Sequence, residues 1–152
     1  MSDDFHPAQA RLAAGALFFD GDQILLVKPT YKETWDIPGG YVEPGESPRD
    51  ACVREVAEEL GIKPAIGDLL VIDWAPQPSD GDKILFVFDG GTLTPEDYAR
   101  IRVDGTEVET YELFDLQRAS TVLNERLTKR LTAAAAAHQR GQTAYLEYGK
   151  AS

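Results

Sequence analysis

Three glutamates, Glu55, Glu58 and Glu59, stand three and four residues apart near the middle of the chain. If that segment is helical, an advance of about 100° per residue places their carboxylates on one narrow face. Like charges at these spacings destabilise a helix, so the pattern favours a cation over this face. Arg54 can pair with Glu58, but one guanidinium does not neutralise three carboxylates. The alternative for this spacing, taken alone, is a solvated acidic face.

The types of these side chains predict which cation would bind. Carboxylate oxygens grouped without histidine or cysteine favour Mg²⁺, or Mn²⁺, over zinc. The single cysteine, Cys52, has no Cys or His neighbour at metal-binding spacing and cannot form an internal disulfide. His6 and His138 fall outside any catalytic grouping, and we interpret both as incidental. The glutamates therefore predict a magnesium or manganese site.

The element that must carry the glutamates is a helix over residues 48–60. Ser47 can cap its first turn, and Pro48 suits the first helical position. Cys52, Val56 and other apolar residues recur at helical spacing, and Gly61 can adopt the left-handed conformation that ends a helix. The segment just before it, residues 35–40, contains one proline and two glycines, which predicts a short strand ending in a tight turn.

The remaining segments mix strand and helix patterns and predict one α/β domain over residues 1–152, with a mixed β-sheet between helices. Predicted strands cover residues 11–19 and 23–28, which form a hairpin, and residues 66–74, 83–89 and 107–114. The turn-rich connection 75–82 is a candidate substrate-facing loop. A short helical turn begins at residues 94–96, a long helix covers residues 121–138, and an edge strand covers residues 142–148.

The frame around the glutamates is far more specific than the glutamates alone. It reads as a Gly, five residues, Glu, seven residues, Arg-Glu, an apolar residue, any residue, Glu-Glu, any residue, Gly and an apolar residue. In this chain the fixed positions are Gly40, Glu46, Arg54, Glu55, Glu58, Glu59 and Gly61, and the last apolar position is Ile62. The stretch resembles the Nudix box. This resemblance implies the Nudix fold, an α/β/α sandwich in which the loop after Gly40 and the following helix form the catalytic unit.

The resemblance also implies roles for individual residues. Glu58 and Glu59 would bind metal, and Glu55 would be a further ligand or lie close to the activated water. The backbone carbonyl of Gly39 would be another ligand. Arg54 and Glu46 would orient the carboxylates through ion pairs and hydrogen bonds, as metal ligands require. A later segment is expected to add one acidic residue, Glu107 ahead of Glu109, and the general base remains open among Glu55, Glu58, Glu59 and Glu107.

The activity implied by the resemblance is metal-dependent hydrolysis of a pyrophosphate linkage. We favour a nucleoside diphosphate joined to another group, of the ADP-ribose or nucleotide-sugar type, because Pro76 and Pro78 lie near a proline position of such enzymes. A nucleoside triphosphate, modified or not, is the alternative substrate. A non-catalytic Nudix domain that senses a ligand is the alternative of another class. Trp74, Tyr31 and Tyr41 are candidates for stacking on a base, although aromatic residues more often lie in a core or at its rim.

The charge and hydropathy of the chain restrict its partners. A formal net charge of −11 disfavours a nucleic-acid polymer, whereas a small polyphosphate can bind when divalent cations separate the like charges. No apolar stretch approaches the roughly 20 residues that span a bilayer. The acidic start, without an apolar segment after it, predicts a cytoplasmic protein. We therefore expect a small nucleotide-like substrate and no membrane partner, with a homodimer left open.

Overall fold

A computed structural model describes residues 5–151, which form eight strands and four helices. In chain order these are β1 (Arg11–Asp20), β2 (Gln23–Pro29), β3 (Gly39–Tyr41), α1 (Pro48–Leu60), β4 (Leu69–Trp74), β5 (Lys83–Thr92), α2 (Pro95–Arg100), β6 (Val108–Asp115), α3 (Leu116–Ala119), α4 (Glu125–Arg140), β7 (Ala144–Glu147) and β8 (Lys150–Ala151). None of the helices in this part of the chain is long and apolar enough to cross a bilayer.

All eight strands belong to one mixed sheet. Its order is β6-β2-β1-β5-β4-β7-β8, and β3 pairs with β1 beside this path. The β1–β5 and β4–β7 pairs are parallel, and the other pairs are antiparallel. The predicted mixed sheet is therefore confirmed, and β1 lies inside it between β2 and β5 and also pairs with the short strand β3.

Helices cover both faces of the sheet. Successive side chains of a strand point to opposite faces, so β1 is buried on both sides. Leu17 and Phe19 face the core that includes Leu131 of α4, whereas Ala16 and Phe18 face the core that includes Val56 of α1. Burying a large apolar side chain contributes about 1.5–3 kcal/mol, so a strand buried on both faces stabilises two cores at once. This arrangement confirms the α/β/α sandwich.

Helix α1 has the bounds that its capping signals predicted. The Ser47 hydroxyl accepts a hydrogen bond of 3.1 Å from the Asp50 N–H, and Pro48 stands in the first turn, where no N–H is required. Gly61 ends the helix with φ 72°, a conformation that costs glycine little. The helix packs Ala51, Cys52, Val56 and Leu60 against the sheet, which leaves the polar face with its glutamates available to a ligand.

Several predicted segments differ from the structure; the strand predicted over residues 66–74, for example, begins at Leu69. Residues 35–38 are not part of β3, because Pro38 has no N–H for a ladder and Asp36 forms only an isolated bridge with Val27. The predicted helix over residues 121–138 begins at Glu125, since the Asn124 side chain caps it by accepting from the Leu127 N–H at 2.8 Å, and the preceding short helix α3 was not predicted. The tail strand β7 is not an edge strand, because β8 pairs with its outer side.

Candidate active site

Helix α1 and the segment before β6 bring three carboxylates together. Glu55, Glu58 and Glu107 each offer an oxygen within 4.8 Å of the other two. The Thr30 N–H donates to the Glu107 carbonyl at 2.9 Å, which anchors this residue at the end of β2. We call Glu55, Glu58 and Glu107 the acidic group. Its donors are all hard oxygens from two separate elements, and this donor set suits a divalent cation such as Mg²⁺.

Glu109, the alternative to Glu107, has a different neighbour. Its carboxylate lies 3.9 Å from the Lys28 ammonium on the adjacent strand β2. The two residues are separated by one position, so alternation along a strand alone did not distinguish them. The structure brings Glu107, and not Glu109, into the acidic group.

Glu59 is buried and lies next to Glu55, although it is not one of the three residues of the acidic group. Its side chain is 8% exposed, and its carboxylate accepts a hydrogen bond of 2.9 Å from the Gly39 N–H. This bond joins α1, the helix of the predicted catalytic unit, to β3. The roles that the family pattern implies for Glu59 and for the Gly39 carbonyl stay predictions, since the described contact of Gly39 is made through its N–H.

The carboxylates of Glu55 and Glu59 lie in a desolvated environment. Burial is the main cause that raises the pKa of each group, and the repulsion between Glu55 and Glu59 adds to the rise for Glu59. Arg54 opposes the rise at Glu55, and the Gly39 N–H opposes it at Glu59. Both rises mean that the protein's own groups do not fully balance the two negative charges. A divalent cation would supply the missing charge, so the residues present fit such an ion.

Arg54 holds the loop after Gly40 against α1. It forms two hydrogen bonds to the Glu46 carboxylate, of 2.7 and 3.0 Å, and one of 2.8 Å to Glu55. It also donates to the Tyr41 carbonyl at 3.1 Å and lies 3.4 Å from Glu58. The Arg54 guanidinium and the Glu43 N–H lower the pKa of Glu46 to about 2. Arg54 thus contacts both Glu55 and Glu58, and its role in orienting metal ligands stays a prediction.

Gly40 is required by the close approach of Glu55. A Cβ atom at position 40 would lie 2.7 Å from the carboxylate carbon of Glu55, well inside van der Waals contact. Arg54 donates a hydrogen bond to the same carboxylate, so the Glu55 side chain has little freedom to move aside. The first fixed glycine of the box therefore makes space for the carboxylate that α1 delivers.

A cleft of about 580 Å³ opens beside the glutamates. Gly39 and Gly40 line it. Gly39 donates its N–H to Glu59, and Gly40 lies against the carboxylate of Glu55. Strand β5 contributes Leu85 and Val87 as apolar lining. A cleft of this size, with an apolar floor and a few polar groups, suits a small ligand.

The aromatic candidates divide between the cleft and other surroundings. Tyr31 and Tyr41 line the cleft and are 76% and 46% exposed, so both rings are accessible to a ligand. Trp74 is not among the lining residues, and from the loop 75–82 Gln77 reaches the cleft. His138 contacts Asp89 at 2.7 Å and stacks on Phe19, outside the cleft lining.

Sequence reasoning missed the positive charges of the cleft. Lys32 lines it, together with Lys83 of β5 and Arg126 and Arg130 of α4, and we call the last three residues the basic lining. One signal was present in the sequence: Arg126 and Arg130 are four residues apart and therefore share a helix face. Lys83 also alternates with Leu85 and Val87. Which way these faces point depends on the packing of α4 and β5, which the sequence does not show.

Two curated relatives each match part of the chain. The putative 8-oxo-dGTP diphosphatase of Bacillus subtilis (strain 168) is 38% identical over 88 residues, which cover 58% of this chain and 54% of that protein. The human diphosphoinositol polyphosphate phosphohydrolase 2 is 50% identical over 52 residues, which cover 34% of this chain and 29% of that protein. The matched region thus spans about half of the first relative and less of the second.

Solved structures and a family model give broader matches. A MutT protein from Methanosarcina mazei Go1 has a TM-score of 0.69 at 24% identity, covering 88% of this chain and 96% of that one. A UDP-X diphosphatase has a TM-score of 0.73 at 20% identity, covering 95% of this chain and 70% of that one. These likenesses confirm the fold. The family model described as NUDIX domain matches residues 9–135, and the chain therefore belongs to the NUDIX family.

Proposed function

We propose that this protein hydrolyses a pyrophosphate linkage in a small nucleotide-like substrate with the help of Mg²⁺ or Mn²⁺. The observation that carries the proposal is the acidic group, three carboxylates within 4.8 Å of one another beside a cleft of about 580 Å³. The membership of the NUDIX family and the desolvation of Glu55 and Glu59 support it. A divalent cation between the carboxylates and the phosphates lets an acidic chain admit an anionic substrate.

The residues of the site divide the work of such a reaction. Glu55, Glu58 and Glu107 would hold the cation, with Glu59 and Gly39 next to them. A bound divalent cation neutralises phosphate oxygens and lowers the pKa of water. Arg54 and Glu46 keep the carboxylates in place, and the Glu59 bond to Gly39 fixes the floor of the site. The proton of the attacking water goes to one of Glu55, Glu58, Glu59 or Glu107.

The substrate that we favour is a nucleoside diphosphate joined to another group. Such a compound has a pyrophosphate in its middle and a group at each end, so it needs room on both sides of the cation site. The cleft offers exposed aromatic rings, Tyr31 and Tyr41, that can stack on a base, and an apolar floor with a basic lining. These features extend well beyond what a free pyrophosphate would occupy.

A nucleoside triphosphate, modified or not, is the second candidate. It is favoured by the similarity to a relative named as a putative 8-oxo-dGTP diphosphatase, at 38% identity over 88 residues. For such a substrate the base would have to be recognised in the cleft, and the metal site would act on the triphosphate chain. The acidic group would serve either substrate in the same way.

A nucleotide panel separates these candidates. The protein is incubated with Mg²⁺ and ADP-ribose, UDP-glucose, dGTP or 8-oxo-dGTP, and phosphate release is measured with and without added phosphatase. Products that release phosphate only after phosphatase treatment, from the diphosphate-linked compounds alone, support the favoured substrate class. Turnover confined to the triphosphates replaces it with the second candidate. Tight binding of a panel member without turnover would instead indicate a ligand-sensing domain.

A further inference from the structure

The turn between β7 and β8 contains an unusual tyrosine. Glu147 pairs with Lys150, which leaves Tyr148 and Gly149 as a two-residue turn with φ 57° and 79°. In the part of the chain that the structure describes, Tyr148 is the single non-glycine residue with positive φ. Turns with two positive φ values favour Asn-Gly, Asp-Gly or Gly-Gly, because a larger side chain is strained there. A tyrosine at this position therefore calls for a compensating role.

The backbone of the turn is held by contacts that any residue could make. The Tyr148 N–H donates to the Trp74 carbonyl at 2.8 Å. The Gly149 N–H donates to Asp73 at 3.0 Å, and the fully buried Asp73 also accepts a hydrogen bond of 2.7 Å from Arg130. The ring of Tyr148 takes no part in these backbone hydrogen bonds. The ring is 5.3 Å from the centre of the Arg126 guanidinium, which is the geometry of a cation–π contact.

Arg126 differs from the other cations of the cleft. Lys32 lies 3.1 Å from Asp36, Lys83 lies 2.8 Å from Asp80, and Arg130 lies 2.7 Å from Asp73. Within residues 5–151, Arg126 makes no such pair with a carboxylate. It donates one hydrogen bond of 3.0 Å to the Pro76 carbonyl and packs against Tyr148. A guanidinium has five N–H donors, so Arg126 keeps donors for a ligand in the cleft that it lines.

We propose that Arg126 binds an anionic group, a phosphate or a carboxylate, that the substrate carries away from its pyrophosphate, and that Tyr148 is the residue that positions Arg126. The proposal rests on the proposed function, because it assumes that the pyrophosphate lies at the acidic group. A cation there neutralises the pyrophosphate only, so a second anion would meet the negative field of the protein unless a side chain compensated it. Arg126 supplies that charge in a planar fork that suits both anions.

A matched pair of substrates tests the anion specificity. UDP-glucuronic acid and UDP-glucose differ by a carboxylate in place of a hydroxymethyl group, at the end remote from the pyrophosphate. We expect the KM of the wild type to be about tenfold or more lower for UDP-glucuronic acid, the size expected of a charge-assisted hydrogen bond. Arg126→Gln should remove this preference, largely through KM. Lys129→Gln, which removes an exposed cation from the same helix outside the cleft lining, should keep it.

Two variants of Tyr148 test its positioning role. Tyr148→Asn suits the turn better than tyrosine and should fold with an unchanged or higher Tm, yet it should weaken the preference for UDP-glucuronic acid severalfold. Tyr148→Phe keeps the ring and should restore the preference. A folded Tyr148→Asn variant with the full preference overturns the role of Tyr148. An Arg126→Gln variant that raises KM equally for both substrates overturns the anion specificity and indicates stacking on the common nucleoside.

A binding measurement keeps this proposal separate from the proposed function. If the wild type hydrolyses neither nucleotide sugar, calorimetric binding of both compounds in the presence of Mg²⁺ still tests Arg126. Tighter binding of UDP-glucuronic acid by the wild type, lost in Arg126→Gln, supports the proposal without any turnover. Equal binding of the two compounds, or binding of neither, overturns it.

Discussion

The acidic group lies beside the cleft that the basic lining borders, and the two sets of residues balance their charges in different ways. Glu55, Glu58 and Glu107 have carboxylate oxygens within 4.8 Å of one another, and Glu55 and Glu58 share one arginine, Arg54. In the basic lining, Lys83 and Arg130 each have their own carboxylate partner within the fold. A cluster that is not balanced internally needs a ligand, whereas a paired charge contributes to the fold. Substitutions that affect the acidic group and substitutions that affect the basic lining should therefore have different effects on activity and stability.

Metal removal should have the largest effect at the acidic group. We expect excess EDTA to abolish hydrolysis and Mg²⁺ or Mn²⁺ to restore it, because three adjacent carboxylates cannot bind a phosphate anion without a cation. Added metal should also raise the Tm, since it binds the folded site more tightly than the unfolded chain. Activity assays and thermal melts across a metal titration measure both effects. Full turnover in EDTA would show that the acidic group has no metal-dependent role.

Glu59→Gln should lower kcat about 10²- to 10³-fold, the range seen when a single preorganised group of an active site is lost. Gln and Glu have similar helix propensities, and the loss of a desolvated charge should leave the metal-free protein as stable as the wild type or slightly more so. Kinetics and denaturant unfolding of the same preparation distinguish the two effects. Glu96→Gln, on the exposed first turn of α2, is the matched control and should change neither. An unfolded variant with normal turnover per folded molecule would make Glu59 a structural residue.

Asp73→Asn, which removes the carboxylate partner of Arg130 in the basic lining, should lower stability and leave the metal requirement unchanged. It leaves the guanidinium of Arg130 buried without its carboxylate and weakens the anchor of Gly149, so we expect a loss of about 3 kcal/mol in the free energy of unfolding. The metal requirement of the folded fraction should stay unchanged. Urea unfolding and a metal titration test the two halves of this prediction. A stable Asp73→Asn variant that no longer responds to metal would contradict the different roles assigned to the acidic group and the basic lining.

The smallest effect is a pH dependence of the metal-free protein. Burial raises the pKa of Glu59 in the folded state above its ordinary value of 4.5. A raised folded-state pKa contributes stability that is present below pH 4.5 and is lost as the pH rises through the folded-state pKa. The Tm in EDTA should therefore decline over that window, and Glu59→Gln should decline less. An equal decline in both proteins would show that Glu59 is not its source.

The local parts of the site were predictable from the sequence. The bounds of α1 follow from Ser47, Pro48 and Gly61, which act on their immediate neighbours and need no distant contact. The face shared by Glu55 and Glu58 follows from helical spacing alone. The spacing from Gly40 to Ile62 identified the family, because a pattern of fixed residue types is a property of the chain itself.

Tertiary packing decided the parts of the site that come from distant segments. Glu107 joins Glu55 and Glu58 because β6 pairs with β2, and that pairing also directs Glu109 to Lys28. Glu59 bonds to Gly39, which is a contact between α1 and β3, and β3 is itself held by its pairing with β1. In the sequence, nothing distinguishes Arg126 from the other arginines. Its contact with Tyr148 depends on the packing of α4 on the sheet and on the β7–β8 turn. Sequence patterns report neighbours along the chain, whereas these contacts join segments tens of residues apart, so only the folded structure contains them.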